Sequence, residues 1–225
     1  MNSLEMLARI AKGLGPLKDK VVFMGGSTVS LYLTDPGAAT VRPTEDVDCV
    51  IQVLTRGQYY KLEQELERLG FRHVTEKDAP ICRWSYKGIT ADIMPTEGTV
   101  LNFKNSWYPD GYEHAIDVTL PGGEEVRIFS LPYFLASKIE AFNDRGHCDF
   151  LTSPDMEDII TVLDGSETVA EEISAAPAKV MKYLAGKFDE FLRNDRFIES
   201  LEGNLRSPAG TAARVERIKK ILAAL

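Results

Sequence analysis

Hydrophobic and polar residues follow both strand and helix periods in the first 130 residues or so, and a helix period alone after them. Between Glu45 and Val53, apolar residues at every second position predict a strand with one buried face. Residues 57–69 place Leu62, Leu66 and Leu69 at helical spacing and are followed by Gly70, which predicts a helix with a C-terminal glycine. The same reasoning predicts a helix at 3–13, a short helix at 28–33, strands at 20–24 and 71–74, and two hairpins, CRWSY with ITADIM and AIDVTL with EEVRIF.

After about residue 130 the spacing of apolar residues predicts helices alone. Ser130 and Pro132 begin one that runs to about Phe142, and Ser153 and Pro154 begin another that ends before Gly165. Further helices are predicted at about 168–175, 177–193 and 208–224. We therefore expect an α/β (α+β) fold in which residues 1–130 form a mixed-sheet core and residues 131–225 form a C-terminal helical bundle.

Charge and composition limit the classes of function that this chain can have. The net charge of −8 disfavours broad, non-specific binding to nucleic acid, because such binding comes mostly from Lys and Arg. No window approaches the ~18 apolar residues of a membrane span, and the N-terminus lacks the pattern of a signal peptide, so we expect a cytoplasmic protein. Cys49, Cys82 and Cys148 are scattered and odd in number, which predicts reduced, buried thiols.

The predicted strand at 45–53 carries two carboxylates on its polar face. Asp46 and Asp48 project to the same side with Cα atoms roughly 6.6 Å apart, so both can hold the same cations. Asp92, on the second strand of the first hairpin, has the parity to add a third carboxylate. Magnesium prefers hard oxygen ligands, and a pair of ions stabilises the charge of phosphoryl transfer. The sequence thus predicts a metal site at Asp46, Asp48 and Asp92, although each residue alone also suits a solvated strand edge.

A glycine turn precedes this acidic strand by about twenty residues. Gly25 and Gly26 stand between a predicted strand and a predicted short helix, where missing side chains let the backbone approach phosphate oxygens. Ser27 adds a hydroxyl. The order of turn, Asp pair and later Asp favours a triphosphate site at residues 25–27, although such a turn also occurs for purely structural reasons.

GGSTVSLYL followed by RPTEDVDCVI resembles the nucleotidyltransferase superfamily that shares its fold with DNA polymerase β. More narrowly, residues 20–165 resemble the AbiEii-like nucleotidyltransferase toxins of type IV toxin–antitoxin systems, which include the MenT-type enzymes. The motif Arg-x-Ser/Thr-x-Asp-hydrophobic-Asp is matched by Arg42, Thr44, Asp46, Val47 and Asp48. A later Lys, Arg and Asp-x-x-Asp are matched by Lys138, Arg145, Asp155 and Asp158.

The resemblance implies site roles for several of these residues. Arg42 and Thr44 would belong to the nucleotide site, and Lys138 would contact the triphosphate. Asp158 or Asp155 would position the nucleotide or act as a base. The last 60 residues match nothing in the family.

Together these observations predict a metal-dependent nucleotidyltransferase that uses Mg²⁺ or Mn²⁺ and binds NTP in a cleft between core and helices. It would transfer a nucleoside monophosphate to a hydroxyl, with a tRNA 3' end or a protein as acceptor, and a cognate antitoxin as a possible partner. An antibiotic-like small molecule is the alternative acceptor. A non-catalytic nucleotide-binding module is the alternative of a different class.

Overall fold

The structure of the protein is a computed structural model, and it describes residues 1–38, 40–77, 79–101, 105–205 and 210–225. Within these ranges seven strands form one sheet. They are numbered in chain order: β1 (Val21–Met24), β2 (Asp46–Ile51), β3 (Arg72–His73), β4 (Arg83–Tyr86), β5 (Ile89–Pro95), β6 (Ile116–Thr119) and β7 (Glu125–Ile128).

The sheet mixes parallel and antiparallel pairs. Its strand order is β3-β4-β5-β2-β1-β7-β6. The β2–β5 and β1–β7 pairs are parallel, whereas the other neighbours are antiparallel. The two predicted hairpins are present as β4–β5 and β6–β7, and the predicted acidic strand is the central strand β2.

Ten α-helices are present in the part of the chain that is described. They are α1 (Ser3–Leu14), α2 (Arg56–Arg68), α3 (Gly98–Leu101), α4 (Tyr108–Glu113), α5 (Leu131–Asp144), α6 (Pro154–Gly165), α7 (Val169–Ala175), α8 (Ala178–Leu192), α9 (Asp195–Asn204) and α10 (Thr211–Ala223). Short 3₁₀ helices occupy Gly15–Lys20 and Gly26–Leu31. No helix in these ranges combines the length and apolarity that a membrane crossing requires.

The chain divides into two compact units. Unit 1 contains residues 1–28 and 43–130, and unit 2 contains residues 29–42 and 131–225. Unit 1 holds the whole sheet with α1 to α4. Its core includes the fully buried Phe23, Phe71, Trp84 and Leu66. Unit 2 holds helices α5 to α10 and the segment 29–42.

Aromatic packing and ion pairs hold unit 2 together. Phe150 and Phe191 lie 5.2 Å apart between ring centroids, and each also contacts Phe142 and Phe197. Arg214 on α10 bonds the buried carboxylate of Asp164 at 2.8 Å. Tyr32 of the segment 29–42 packs its ring 4.7 Å from that of Phe134.

The mixed α/β class is confirmed, and several element predictions were wrong in detail. The predicted helix at 28–33 is the 3₁₀ helix Gly26–Leu31, and the predicted strand at 71–74 is only Arg72–His73. Helices α3, α4 and α9 were not predicted; α3 and α4 span only four and six residues, which is too short to define a period. The predicted start of the last helix at 208 lies outside the described residues; α10 begins at Thr211.

Candidate metal and nucleotide site

Side chains of the acidic strand β2 alternate between two faces, and both of its carboxylates lie on the less buried face. Val47 and Cys49 are fully buried on one face, whereas Asp46 and Asp48 are half-buried on the other. The predicted parity of this strand is therefore present. Thr44, just before β2, donates its hydroxyl to Asp46 Oδ1 at 3.2 Å, which orients that carboxylate.

Pairing of β2 with β5 brings the third carboxylate to the same place. Asp92 is the register partner of Asp48 in this parallel pair. Asp46, Asp48 and Asp92 each present an oxygen, and these oxygens lie within 4.8 Å of one another. Three carboxylate oxygens at this separation are a donor set that suits a hard divalent cation such as Mg²⁺.

The sequence reasoning did not predict that an arginine side chain lies within this acidic cluster. Arg83 on β4 is the register partner of Asp92. Its Nε donates to Asp92 Oδ1 at 2.8 Å and its Nη2 donates to Asp92 Oδ2 at 2.7 Å, a two-point ion pair. The same Nη2 lies 3.3 Å from Asp46 Oδ2. The hydrogen bonds to Asp92 raise the pKa of Arg83, so the side chain stays charged.

A signal in the sequence could have located Arg83. Lys87 and Gly88 both have positive φ, as in the two-residue turns of tight hairpins. Such a turn pairs Tyr86 with Ile89 and, three steps back, Arg83 with Asp92. Counting pairs outward from the Lys-Gly dipeptide would therefore have placed this arginine opposite the third carboxylate.

The glycine turn lies directly against the acidic strand. Gly25 has φ of +74°, and a Cβ added there would collide with Asp48 Oδ2 and lie 2.9 Å from Asp48 Cβ. Met24, the residue before the turn, is the register partner of Asp48. The absent side chain of Gly25 is thus what allows the Asp48 carboxylate to lie against the turn.

The hydroxyls that follow the turn are directed inward. Ser27 and Thr28 are fully buried. Ser27 Oγ donates to the Met24 carbonyl at 3.4 Å, and Thr28 Oγ1 donates to the Gly25 carbonyl at 2.9 Å. The backbone N–H groups of Gly26 and Ser27, and the Ser27 hydroxyl with its long contact to the Met24 carbonyl, are the donors that the turn could offer to a phosphate.

The remaining predicted site residues form a separate ion cluster within unit 2. Lys138 Nζ lies 2.8 Å from Asp155 Oδ1 and 2.6 Å from Asp158 Oδ2. Arg42 bonds both oxygens of Asp158 at 2.9 Å, and Arg145 bonds both oxygens of Asp155 at 2.9 Å. Together with Arg42, the sequence motif Lys, Arg, Asp-x-x-Asp thus forms one connected network of three cations and two carboxylates.

Burial and charge oppose each other in this network. Burial would lower the pKa of Lys138, but the charges of Asp158 and Asp155 outweigh it and raise that pKa. Burial would likewise raise the pKa of Asp155, and the bonds and charges from Arg145 and Lys138 instead lower it to about 2. Asp155 and Lys138 are therefore a charged pair at neutral pH.

The cysteines fall into two groups. Cys49 and Cys82 are buried, as predicted, and burial raises the pKa of both thiols, to about 12 for Cys82. The prediction was wrong for Cys148, which is exposed. It lies beside His147 between α5 and α6, and both residues have positive φ.

Comparison with known proteins gives a structural likeness. No family model matches the chain, and no curated protein matches its sequence. The fold is similar to that of the antibiotic-resistance factor ANT(2'')-Ia, known from a solution structure, with a TM-score of 0.50. The two chains are 16% identical over 84% of this chain and 94% of the other. The likeness confirms the predicted fold class, an α/β (α+β) fold with a mixed sheet and additional helices.

Proposed function

We propose that this protein is a metal-dependent nucleotidyltransferase that moves a nucleoside monophosphate from an NTP to a hydroxyl. One observation carries the proposal: oxygens of Asp46, Asp48 and Asp92 converge within 4.8 Å beside the Gly25 turn. The fold likeness to ANT(2'')-Ia supports the proposal. A fold alone does not determine function, so the proposal is carried by the three acidic residues and not by the fold.

The donor set fits a divalent cation. Asp46, Asp48 and Asp92 would hold Mg²⁺ or Mn²⁺ through carboxylate oxygens, the ligands that both ions accept. When bound, the metal supplies Lewis-acid stabilisation of the charge that develops on the phosphate. The backbone N–H groups of Gly26 and Ser27 are the proposed donors to the triphosphate.

In the proposed reaction the hydroxyl oxygen of the acceptor bonds to the α-phosphorus as the bond to the bridging oxygen breaks. The leaving group is pyrophosphate, and the acceptor's proton passes to a carboxylate. We assign this proton to Asp92, in the middle of β5, whose oxygens each keep a lone pair beside the bond from Arg83.

For Lys138 the resemblance implies contact with the triphosphate. Asp155 and Asp158 take two of the three N–H donors of its amine, so this contact would use the third. We propose that Arg42, Lys138, Asp155 and Asp158 act as one ion-paired group within unit 2 and that Lys138 takes part in binding the nucleotide. Thr44 supports Asp46 through its hydroxyl.

Two acceptor classes follow from different observations. The resemblance of residues 20–165 to AbiEii-like toxins favours a tRNA 3' end or a protein, with an antitoxin as partner. The net charge of −8 and the likeness to an antibiotic-resistance factor favour a small cationic molecule instead. A module that binds NTP without turnover is the alternative of a different class.

The test is transfer from labelled NTPs to total tRNA, total protein and a panel of aminoglycosides, with Mg²⁺ or Mn²⁺ present. We expect Asp46→Asn and Asp48→Asn each to lower the rate by at least about a thousandfold, because each removes a charged metal ligand. Asp117→Asn, an exposed carboxylate on β6, is the matched control.

Transfer at the wild-type rate in both variants would refute the proposed site. Metal-dependent binding of NTP with no product in any arm would instead support the non-catalytic module. The labelled product of the productive arm identifies the acceptor class.

A further inference from the structure

Arg83 places a positive charge among the three carboxylates of the proposed metal site. Its guanidinium bonds both oxygens of Asp92 at 2.8 and 2.7 Å and reaches Asp46 Oδ2 at 3.3 Å. Its side chain is 30% exposed, so the ion pair is only partly shielded from solvent. The other arginines of the sheet, such as Arg127 on β7, do not occupy an equivalent place: Arg127 bonds the Tyr112 carbonyl.

The charges of the cluster do not match two divalent ions. Asp46, Asp48 and Asp92 contribute three negative charges and Arg83 contributes one positive charge, which leaves two negative charges. That sum is neutralised by one divalent cation. A second cation would need negative charge from elsewhere, and a triphosphate carries it.

The hydrogen bonds impose the same limit. Arg83 Nη2 lies against Asp46 Oδ2 and Asp92 Oδ2 together, so a cation placed at these two oxygens would have to displace the guanidinium. Each oxygen of Asp92 accepts one bond from Arg83 and keeps one lone pair for another ligand. One ion therefore fits beside the guanidinium, whereas two ions compete with it.

We propose that Arg83 is a positioning residue that acts as an internal counter-cation, an inference that rests on the function proposed above. Without nucleotide it holds Asp46 and Asp92 together and restricts the site to a single divalent ion. The second ion binds only with the triphosphate. In this way the metal pair assembles on the substrate instead of on the free protein.

The experiment is a titration of the intact protein with Mn²⁺ alone, with free ion measured by electron paramagnetic resonance. Wild type is expected to bind one ion. Arg83→Gln, which removes the charge, is expected to bind the first ion about tenfold more tightly and to take up a second, because a nearby like charge is gone. Arg83→Lys keeps the charge and should bind one ion, as wild type does.

Arg127→Gln makes the same change in net charge elsewhere on the sheet and should match wild type. Equal Mn²⁺ binding by Arg83→Gln and Arg127→Gln would overturn the inference, and so would Arg83→Lys behaving as Arg83→Gln does. Two ions bound to wild type without nucleotide would overturn it irrespective of any variant. Thermal melting of each variant checks that it folds.

Asp48→Asn separates this inference from the proposed function. It should abolish Mn²⁺ binding in the wild-type and Arg83→Gln backgrounds alike. If wild type and Asp48→Asn both fail to bind Mn²⁺, the proposed metal site is wrong. If wild type binds one ion and Arg83→Gln binds no more tightly, only the role of Arg83 is wrong.

Discussion

At the scale of single residues, the position of Asp48 depends on a side chain that is missing. Gly25 has positive φ, which other residues adopt only with strain, and its open side admits the Asp48 carboxylate. Gly123, in the turn between β6 and β7, has a similar φ of +81° with nothing within 4 Å of an added Cβ. Comparing substitutions at the two glycines therefore separates the cost of backbone strain from the cost of a collision with Asp48.

We expect Gly25→Ala to destabilise the protein by at least about 1 kcal/mol more than Gly123→Ala, because both carry the φ strain of about 1–2 kcal/mol and only the first displaces Asp48. Chemical denaturation measures the difference. Mn²⁺ affinity should also fall about tenfold or more in Gly25→Ala and stay unchanged in Gly123→Ala. Equal stability and equal Mn²⁺ affinity in the two variants would show that Asp48 does not need the open glycine.

Some of the site residues could be predicted from the sequence, and others could not. Alternation along 45–53 was enough to predict the shared face of Asp46 and Asp48, because parity is a local property of a strand. Arg83 and the buried state of Lys138 were missed, since both depend on which strands and helices pair. For Lys138 a solvated helix face was the simpler alternative to a site role, whereas the amine is buried between two carboxylates.

At the scale of elements, charged side chains join two helices of unit 2. Lys138 lies on α5 and Asp155 and Asp158 lie on α6, so their ion pairs tie one helix to the other. Asp155 is buried and has a pKa of about 2, against an ordinary 3.8. A carboxylate whose pKa is lower in the folded state stabilises the fold above its unfolded pKa and loses that stabilisation as pH falls.

From this shift we expect Asp155 to contribute about 2 kcal/mol above pH 4, decreasing as the pH falls from about 4 to about 2. The difference in free energy of unfolding between wild type and Asp155→Asn should therefore narrow by about 1 kcal/mol from pH 6 to pH 3. Urea denaturation at several pH values measures it. Glu202→Gln, an exposed carboxylate on α9, controls for net charge. A gap that stays constant over this range would contradict the assignment.

Elements were predicted best where their pattern is long. The helices α1, α2, α5, α6 and α8 each repeat an apolar spacing over three turns or more, and all were expected close to their observed limits. The helix α9 was missed although Phe197 and Leu201 are buried and stand at helical spacing, a pattern that the sequence does contain. The packing of Phe197 on Phe150 and Phe191 could not be predicted, because these contacts join separate parts of the chain.

At the scale of the whole molecule, the two units are interleaved along the chain. The segment 29–42 leaves the first unit after Thr28 and belongs with the C-terminal helices. Its Val29 and Tyr32 are buried, Arg42 bonds Asp158, and Asp35 bonds Arg214. The change from strands to helices near residue 130 is visible in the sequence, but this early excursion is not, because its apolar residues resemble those of a core helix.

A fragment of residues 1–130 is therefore expected to expose Val29 and Tyr32, whose burial is worth about 1.5–3 kcal/mol each. We predict that the fragment binds a hydrophobic dye more strongly than the intact protein. The same fragment with Val29→Ser and Tyr32→Ser should bind less dye. Equal dye binding by the two fragments, with residues 29–42 protected from amide exchange, would show that the segment folds without α5 to α10.

The chain passes from one unit to the other after residues 28, 42 and 130. A single recombination breakpoint therefore cannot transfer unit 2 intact to another gene, because residues 43–130 separate its two segments. Exchange of unit 2 between genes would need residues 29–42 and 131–225 to be transferred together. Units 1 and 2 are thus expected to share one evolutionary history.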